Sequence, residues 1–169
     1  LIHIGGDECP KDRWKECEHC QAKIKAEGLE DEEELQGYLV ARIEKFINSK
    51  GRKMIGWDEI LDGGITPTAT VMSWRGTEGG IYAAKRGNDV VMTPLKFCYF
   101  DFYQTESREG EGLLIGGHIP FEKVYGWNPY EGLSSEERKH IIGVQCNLWS
   151  EYLKNMEMLE RQLLPRLAA

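Results

Sequence analysis

The chain has 169 residues, of which 41% are apolar and 29% carry a charge. This length suffices for one hydrophobic core but is short for two, so we predict a single domain over residues 1–169. Acidic side chains outnumber basic ones by 28 to 21, and the basic ones are scattered, which argues against nucleic acid as a partner. No apolar run approaches the roughly 20 residues that a membrane-spanning helix requires, so no membrane span is predicted.

The five cysteines give no metal motif. Cys17 and Cys20 form a C-x-x-C pair, but zinc would require a second ligand pair at similar spacing, which the sequence lacks. We therefore predict no metal site and no cofactor. Whether this pair forms a local disulfide or two packed thiols stays open. Cys98 and Cys146 lie in apolar runs, as buried thiols commonly do.

Strand-like and helix-like segments alternate along the chain. Leu35, Leu39 and Ile43 recur at helical spacing, which predicts a helix around them. The predicted strands are residues 1–4, 53–56, 70–73, 90–92 and 143–148, and the predicted helices are residues 32–49, 78–86 and 153–167. Nearly continuous apolar strands separated by helices predict the α/β class, with a parallel sheet covered on both faces. Residues 93–137 form a long irregular stretch, and such a loop in a compact domain is usually functional.

This pattern fits either an open doubly wound sheet or part of a closed (β/α)8 barrel. A complete barrel takes about 250 residues. The barrel interpretation therefore requires a carboxyl-terminal portion that begins inside a strand. The first residues, Leu-Ile-His-Ile, fit that expectation.

Three of the five tryptophans occupy equivalent places, at the ends of apolar strands. Trp57, Trp74 and Trp149 each follow an apolar run and precede polar residues, and the matching place after the first strand holds Asp7 and Glu8. Because the carboxyl ends of parallel strands form the ligand-binding face of α/β proteins, these side chains are expected to converge on one pocket.

Indoles beside carboxylates indicate a carbohydrate site. Flat indole faces pack on the C–H faces of sugar rings, while sugar hydroxyls need acceptors such as Asp101 and Glu151. Such a site suits glycoside cleavage, in which a carboxyl group with a raised pKa protonates the leaving oxygen. Asp7 and Glu8 are neighbours, however, and cannot easily flank a sugar at the separation of about 5 Å or more that an ordinary nucleophile and acid require. One of them is then the acid, and the other has a different task.

Ordered motifs along nearly the whole chain resemble those of family 20 glycoside hydrolases, the β-N-acetylhexosaminidases. The motifs are His3 to Glu8, Gly56 to Glu59, Ser73 to Gly76, Tyr99 to Asp101, Trp127, Leu148 to Glu151 and Leu164 to Leu167. The resemblance implies a (β/α)8 TIM barrel, represented here from about its fourth strand to its last helix.

The resemblance also implies a retaining, substrate-assisted mechanism. Glu8 would protonate the glycosidic oxygen and later activate water, while the 2-acetamido oxygen of the substrate attacks the anomeric carbon. Asp7 would hold the acetamido N–H and stabilise the positive charge, and Tyr99 would donate to the acetamido oxygen. Trp57, Trp74 and Trp149 would surround the acetamido methyl group, and Asp101, Trp127 and Glu151 would bind the outer hydroxyls of the terminal sugar.

The implied partner is an oligosaccharide or glycoconjugate ending in a β-linked N-acetylhexosamine. Family analogy implies a periplasmic, extracellular or lysosomal enzyme. Members of the family also bind the sugar through an arginine from an early barrel strand, and no such strand precedes residue 1. The alternative function is therefore a catalytically silent, sugar-binding or structural fragment of the same fold. Open strand edges would invite self-association.

Several of these residues also have purely structural interpretations. Asp7 follows two glycines and could serve as a loop or cap residue, and Tyr99 and Asp101 could belong to an ordinary edge segment. Trp127 could be the hydrophobic anchor of its glycine-rich loop. His3 is expected to lie in the core or behind the site.

Overall fold

The computed structural model describes all residues, 1–169, and contains one five-stranded parallel sheet. The strands are β1 (Ile2–His3), β2 (Met54–Trp57), β3 (Thr70–Ser73), β4 (Val90–Met92) and β5 (Ile141–Val144). The α-helices are α1 (Asp12–Glu16), α2 (Glu18–Glu27), α3 (Glu32–Ser49), α4 (Glu78–Lys85), α5 (Leu95–Cys98), α6 (Phe121–Tyr125) and α7 (Met156–Leu163). Short 3₁₀ turns cover Asp58–Leu61, Glu137–His140 and Arg166–Ala168.

The five strands lie side by side in the order of the sequence, and every neighbouring pair is parallel. A doubly wound sheet reverses its strand order at a switch point, whereas a barrel adds each strand next to the preceding one. The observed order is therefore that of a barrel segment. It also brings the carboxyl ends of all five strands to one edge.

One face of the sheet packs against helices α3 and α4. The buried cluster joins Val40 and Ile47 of α3 to Met54, Val71 and Val90 of the strands. Strand residues alternate between faces, so the neighbouring positions point to the opposite side. That side borders a cavity lined by residues that include Ile55, Met72 and Val91. Helices are predicted on both faces of the sheet, but α3 and α4 cover only one of them.

The predicted elements differ from the observed ones at both ends of the chain and within residues 93–137, where the stretch predicted as irregular contains the short helices α5 and α6. Residues 5–31, predicted as a loop, contain α1 and α2, and α2 ends at Gly28 with a left-handed φ of 69°. Strand β5 ends at Val144, before the predicted limit of residue 148. Helix α7 starts at the cap Asn155, whose side chain accepts from the Met158 N–H, and ends at Leu163. No helix combines the length and the apolar character needed to cross a membrane.

Two glycines allow helix α3 to contact the loop that follows β2. A Cβ at Gly37 would collide with the backbone carbonyl of Gly63, and a Cβ at Gly63 would collide with the carbonyl of Glu33. The same loop begins with Asp58 and Glu59, next to the end of β2. The two glycines thereby determine how close this loop lies to the helix layer.

We predict that Gly37→Ala lowers the free energy of unfolding by about 1–3 kcal/mol, because the added methyl group must displace backbone rather than a flexible side chain. Gly143→Ala is the control, because nothing lies within 4 Å of a Cβ built at that position. Denaturant unfolding of both variants checks this. Equal stability of Gly37→Ala and the parent would contradict the packing described.

Candidate active site

One pocket, which we call the strand-end pocket, opens at the carboxyl edge of the sheet. Its volume is about 390 Å³, within the range of small-ligand sites. It is lined by Asp7, Glu8, Trp57, Trp74, Leu95, Tyr99, Asp101, Phe102, Ile115, Trp149 and Glu151. All of the predicted site residues except Trp127 are among them. Residues up to 144 positions apart in the chain thus meet at one place.

The backbone after β1 turns sharply to bring Asp7 and Glu8 to the pocket. Gly5 and Gly6 have positive φ, and Glu8 itself has φ 45°, a conformation that non-glycine residues adopt at a cost of about 1–3 kcal/mol. Such strain is concentrated at functional sites, where the surrounding structure imposes it. The Gly5 N–H donates to His3 Nδ1 at 3.0 Å and thereby closes the turn.

The aromatic side chains of the pocket form a continuous wall. The rings of Trp57 and Trp149 lie 6.2 Å apart, Trp149 and Tyr99 lie 6.3 Å apart, and Tyr99 stacks with Trp74 at 6.2 Å. Phe102 contacts the other side of Tyr99 at 6.0 Å. Tyr99 is therefore at the centre of the wall. Burial raises the pKa of its phenol to about 12, so the hydroxyl keeps its proton at neutral pH.

Two carboxylates after β2 hold the indole after β3. The buried Asp58 accepts from the Trp74 backbone N–H at 3.1 Å, and Glu59 Oε2 accepts from the indole Nε1 at 2.9 Å. Arg75 donates to both oxygens of Asp62, at 2.9 and 3.0 Å, and to Asp58 at 3.2 Å. The Asp62 hydrogen bonds and the Asp58 charge raise the pKa of Arg75, while burial raises that of Glu59. Trp74 therefore has a fixed orientation.

Asp101 is a buried carboxyl that lines the pocket and is only 3% exposed. Its Oδ1 has no hydrogen-bond partner in the protein. Burial raises the pKa of Asp101 to about 6, Glu151 adds to the rise, and the charge of Arg166 opposes it. An unpartnered buried carboxylate oxygen at a pocket wall is suited to accept a hydrogen bond from a ligand.

A buried arginine supports the loop that carries Tyr99 and Asp101. Arg166 is 1% exposed, and its guanidinium donates to the carbonyl oxygens of Phe100 at 2.6 Å and of Phe102 and Ile119 at 3.1 Å. Phe100 and Phe102 are the residues on either side of Asp101. Burial lowers the pKa of Arg166 to about 10, so it stays charged at neutral pH.

Trp127 lies outside the strand-end pocket, which differs from its predicted place. Its indole stacks on Phe97 at 5.0 Å with an interplanar angle of 6°, and it packs against the buried cluster of the core. This position agrees with the structural interpretation, in which Trp127 is the hydrophobic anchor of its loop. Ile115 and Phe102, from the same long irregular stretch, line the pocket instead. No periodicity or charge pattern in the sequence distinguishes these two residues from other apolar residues of the loop.

The structure contains no group of three or more His, Cys, Asp or Glu side chains arranged to hold a metal ion. All five cysteines are free thiols, so Cys17 and Cys20 do not form a disulfide. The chemistry that the site offers comes from carboxylates, one phenol and three indoles.

Parallel strands in consecutive order, with a pocket at their carboxyl ends, define a portion of a (β/α)8 barrel with its ligand site at the usual edge. Comparison with known families agrees: the model for glycosyl hydrolase family 20, catalytic domain, matches residues 1–169. The chain belongs to this family.

Curated relatives and solved structures extend the comparison. A beta-hexosaminidase of Porphyromonas gingivalis is 50% identical over 99% of this chain, and one of Vibrio furnissii is 35% identical over 100% of it. An exo beta-N-acetylglucosaminidase of Vibrio harveyi, solved in complex with N-acetylglucosamine, superposes over 98% of this chain with a TM-score of 0.82 and 30% identity. The chain spans 22%, 28% and 26% of these three proteins, respectively.

The raised pKa of Asp101 predicts a dependence of stability on pH. Unfolding returns the carboxyl from about 6 to its ordinary value of 3.8, so between these values the folded state binds more protons than the unfolded state. The contribution of Asp101 to stability therefore falls as pH rises from 4 to 7, by about 1–3 kcal/mol. Asp101→Asn should remove this dependence in denaturant unfolding across that range. The exposed Asp12→Asn is the control, and a pH dependence unchanged by Asp101→Asn would contradict the assignment.

Proposed function

We propose that the protein is an exo-acting β-N-acetylhexosaminidase that removes a terminal N-acetylhexosamine from β-linked glycans with retention of configuration. The observation that carries this proposal is the convergence of Asp7, Glu8 and Tyr99 with three indoles in the strand-end pocket. The names of the curated relatives support the same activity. The substrate class is an oligosaccharide or glycoconjugate that ends in this sugar.

The adjacency of Asp7 and Glu8 supports a substrate-assisted mechanism. Carboxylates on consecutive residues are poorly placed to attack and protonate a sugar from opposite sides. In the proposed reaction the nucleophile is the 2-acetamido oxygen of the substrate, which attacks the anomeric carbon as the glycosidic bond breaks. Glu8 gives its proton to the leaving oxygen, and the product of this step is a cyclic oxazolinium. Glu8 then removes a proton from the water that opens the ring.

Asp7 and Tyr99 act on the acetamido group in this proposal. Asp7 accepts from the acetamido N–H and stabilises the positive charge that develops on the ring. The Tyr99 hydroxyl, whose raised pKa keeps it protonated, donates to the acetamido oxygen and aligns it with the anomeric carbon. Trp57, Trp74 and Trp149 surround the methyl group, where an apolar wall excludes water.

Asp101 and Glu151 bind the outer hydroxyls of the terminal sugar. The unpartnered Oδ1 of the buried Asp101 is the acceptor that supports this role. Trp127 does not line the pocket, so this proposal assigns it no contact with the sugar. Ile115 and Phe102 supply apolar contacts at this end.

The test of the activity is the release of a chromophore from an aryl N-acetyl-β-glucosaminide by the full-length protein. The matching aryl β-glucoside, which lacks the acetamido group, should not be cleaved, because it carries no nucleophile. No cleavage of the acetamido substrate would indicate a catalytically silent fold. Equal cleavage of both substrates would indicate an ordinary enzymatic nucleophile.

Glu8→Gln should lower the cleavage of substrates with poor leaving groups by about 10²-fold or more, since the amide cannot supply a proton. Aryl leaving groups of low pKa depart without that proton and should lose much less activity. Steady-state rates across a series of aryl substrates check this. The exposed Glu16→Gln is the matched control, and an equal loss for all leaving groups would contradict the role of Glu8.

Asp7→Asn should lower kcat much more than it weakens ground-state binding, because the amide keeps the shape but loses the charge that stabilises the oxazolinium. A thiazoline analogue of that intermediate should inhibit the parent protein tightly and Asp7→Asn weakly. Inhibition constants and kcat, measured beside Asp12→Asn, test both statements. A parent protein that the thiazoline does not inhibit would contradict neighbouring-group participation.

A further inference from the structure

Asn147 lies beyond the end of β5 and pairs with Tyr99, a lining residue of the strand-end pocket. The two residues form an isolated parallel bridge. The Asn147 N–H donates to the Cys98 carbonyl, and the Asn147 carbonyl accepts from the Phe100 N–H, both at 2.7 Å. These two hydrogen bonds engage the residues immediately before and after Tyr99. Asn147 therefore sets the backbone position of the central aromatic residue of the pocket.

The same pairing places the two side chains next to each other. Residues at matched positions of neighbouring strands carry their side chains on the same face of the sheet. The Asn147 side chain is more than nine-tenths buried, at 6% exposure of the residue. A buried amide beside a phenol needs a partner for each of its polar atoms.

Only one end of the Asn147 amide has such a partner. Its Oδ1 accepts from Gln145 Nε2 at 2.8 Å, which determines that Nδ2 is the end turned away from Gln145. Nδ2 has no hydrogen-bond partner in the protein. Burial raises the pKa of Tyr99, and the Asn147 and Trp149 side chains oppose that rise.

We propose that Asn147 is a positioning residue for Tyr99: in the substrate complex its Nδ2–H, which has no other partner, donates to the phenol oxygen and leaves the Tyr99 O–H free to point into the strand-end pocket. Because the phenol oxygen then accepts on one side, its own proton is directed to the other side. There it reaches the acetamido oxygen of the substrate. This inference rests on the proposed function, in which Tyr99 aligns the acetamido nucleophile. Catalytic hydrogen bonds are often loose before substrate binds and tighten in the complex.

A double-mutant cycle with Tyr99 tests this inference in the full-length protein. Tyr99→Phe, which removes the phenol oxygen, should lower kcat/KM for the aryl N-acetyl-β-glucosaminide by about 10²-fold. Asn147→Leu should lower it roughly tenfold in the parent, because one hydrogen bond is lost. In the Tyr99→Phe background, Asn147→Leu should have no further effect, since Asn147 acts through that oxygen.

Asn88→Ala is the structural control. Asn88 is also a buried amide, but it donates to the carbonyls of Thr66 and Ala69 and forms no bridge with Tyr99. Any loss that it causes should be the same with Tyr or Phe at position 99. If Asn147→Leu does not fold, as judged by thermal unfolding, Asn147→Ala provides the same comparison.

Two results would overturn the inference, and they differ from each other. Independent, multiplicative losses from Asn147→Leu and Tyr99→Phe would show that Asn147 has only a structural role, while leaving the proposed function intact. Full activity of Tyr99→Phe would contradict both the role of Asn147 and the assignment of Tyr99 in the proposed function.

Discussion

Hydrogen bonding between parallel strands in consecutive order brings together the side chains that follow the strands in the strand-end pocket. The register pairs Ile55 with Thr70 and Val71 with Val90, so the strands end at nearly the same level. A side chain placed just after one strand therefore lies beside the side chain placed just after the next. Trp57 and Trp74 use this directly, because one is the last residue of β2 and the other follows β3.

Beyond the strand ends, ionised side chains hold the loops that carry several of the pocket residues. Asp58, Glu59 and Arg75 join the loops after β2 and β3, and Arg166 joins the last turn to the loop around Asp101. Arg75 and Arg166 differ in the groups that compensate their charge. Arg75 pairs with carboxylates, whereas the buried Arg166 is surrounded by backbone carbonyls, whose dipoles replace the lost water. Both arrangements keep polar groups satisfied where the chain has no regular structure.

The sequence is sufficient to predict residues whose position follows from strand periodicity and not those placed by long-range packing. The predicted bounds of strand β3 and helix α3 agree with the observed ones, and the tryptophans after apolar runs lie in the strand-end pocket as expected. Trp127 lies in the irregular stretch as Tyr99 and Asp101 do, but its indole stacks on Phe97 and packs on the core, and these long-range contacts have no sequence signal. The contacts of Arg166 with backbone carbonyls could not be predicted either, because backbone acceptors carry no sequence signal.

The support that Arg166 gives to the pocket has a consequence for the order in which the domain is completed during synthesis. Arg166 is 66 positions after Phe100, whose carbonyl it binds. At translation rates of about 5–20 residues per second, this separation corresponds to roughly 3–13 s. During that interval the segment around Asp101 has been synthesised, but Arg166, the cation that supports it, has not. Strands β1 to β4 are synthesised before Arg166, so this wall of the pocket gains its supporting cation only after the strands that precede it have been made.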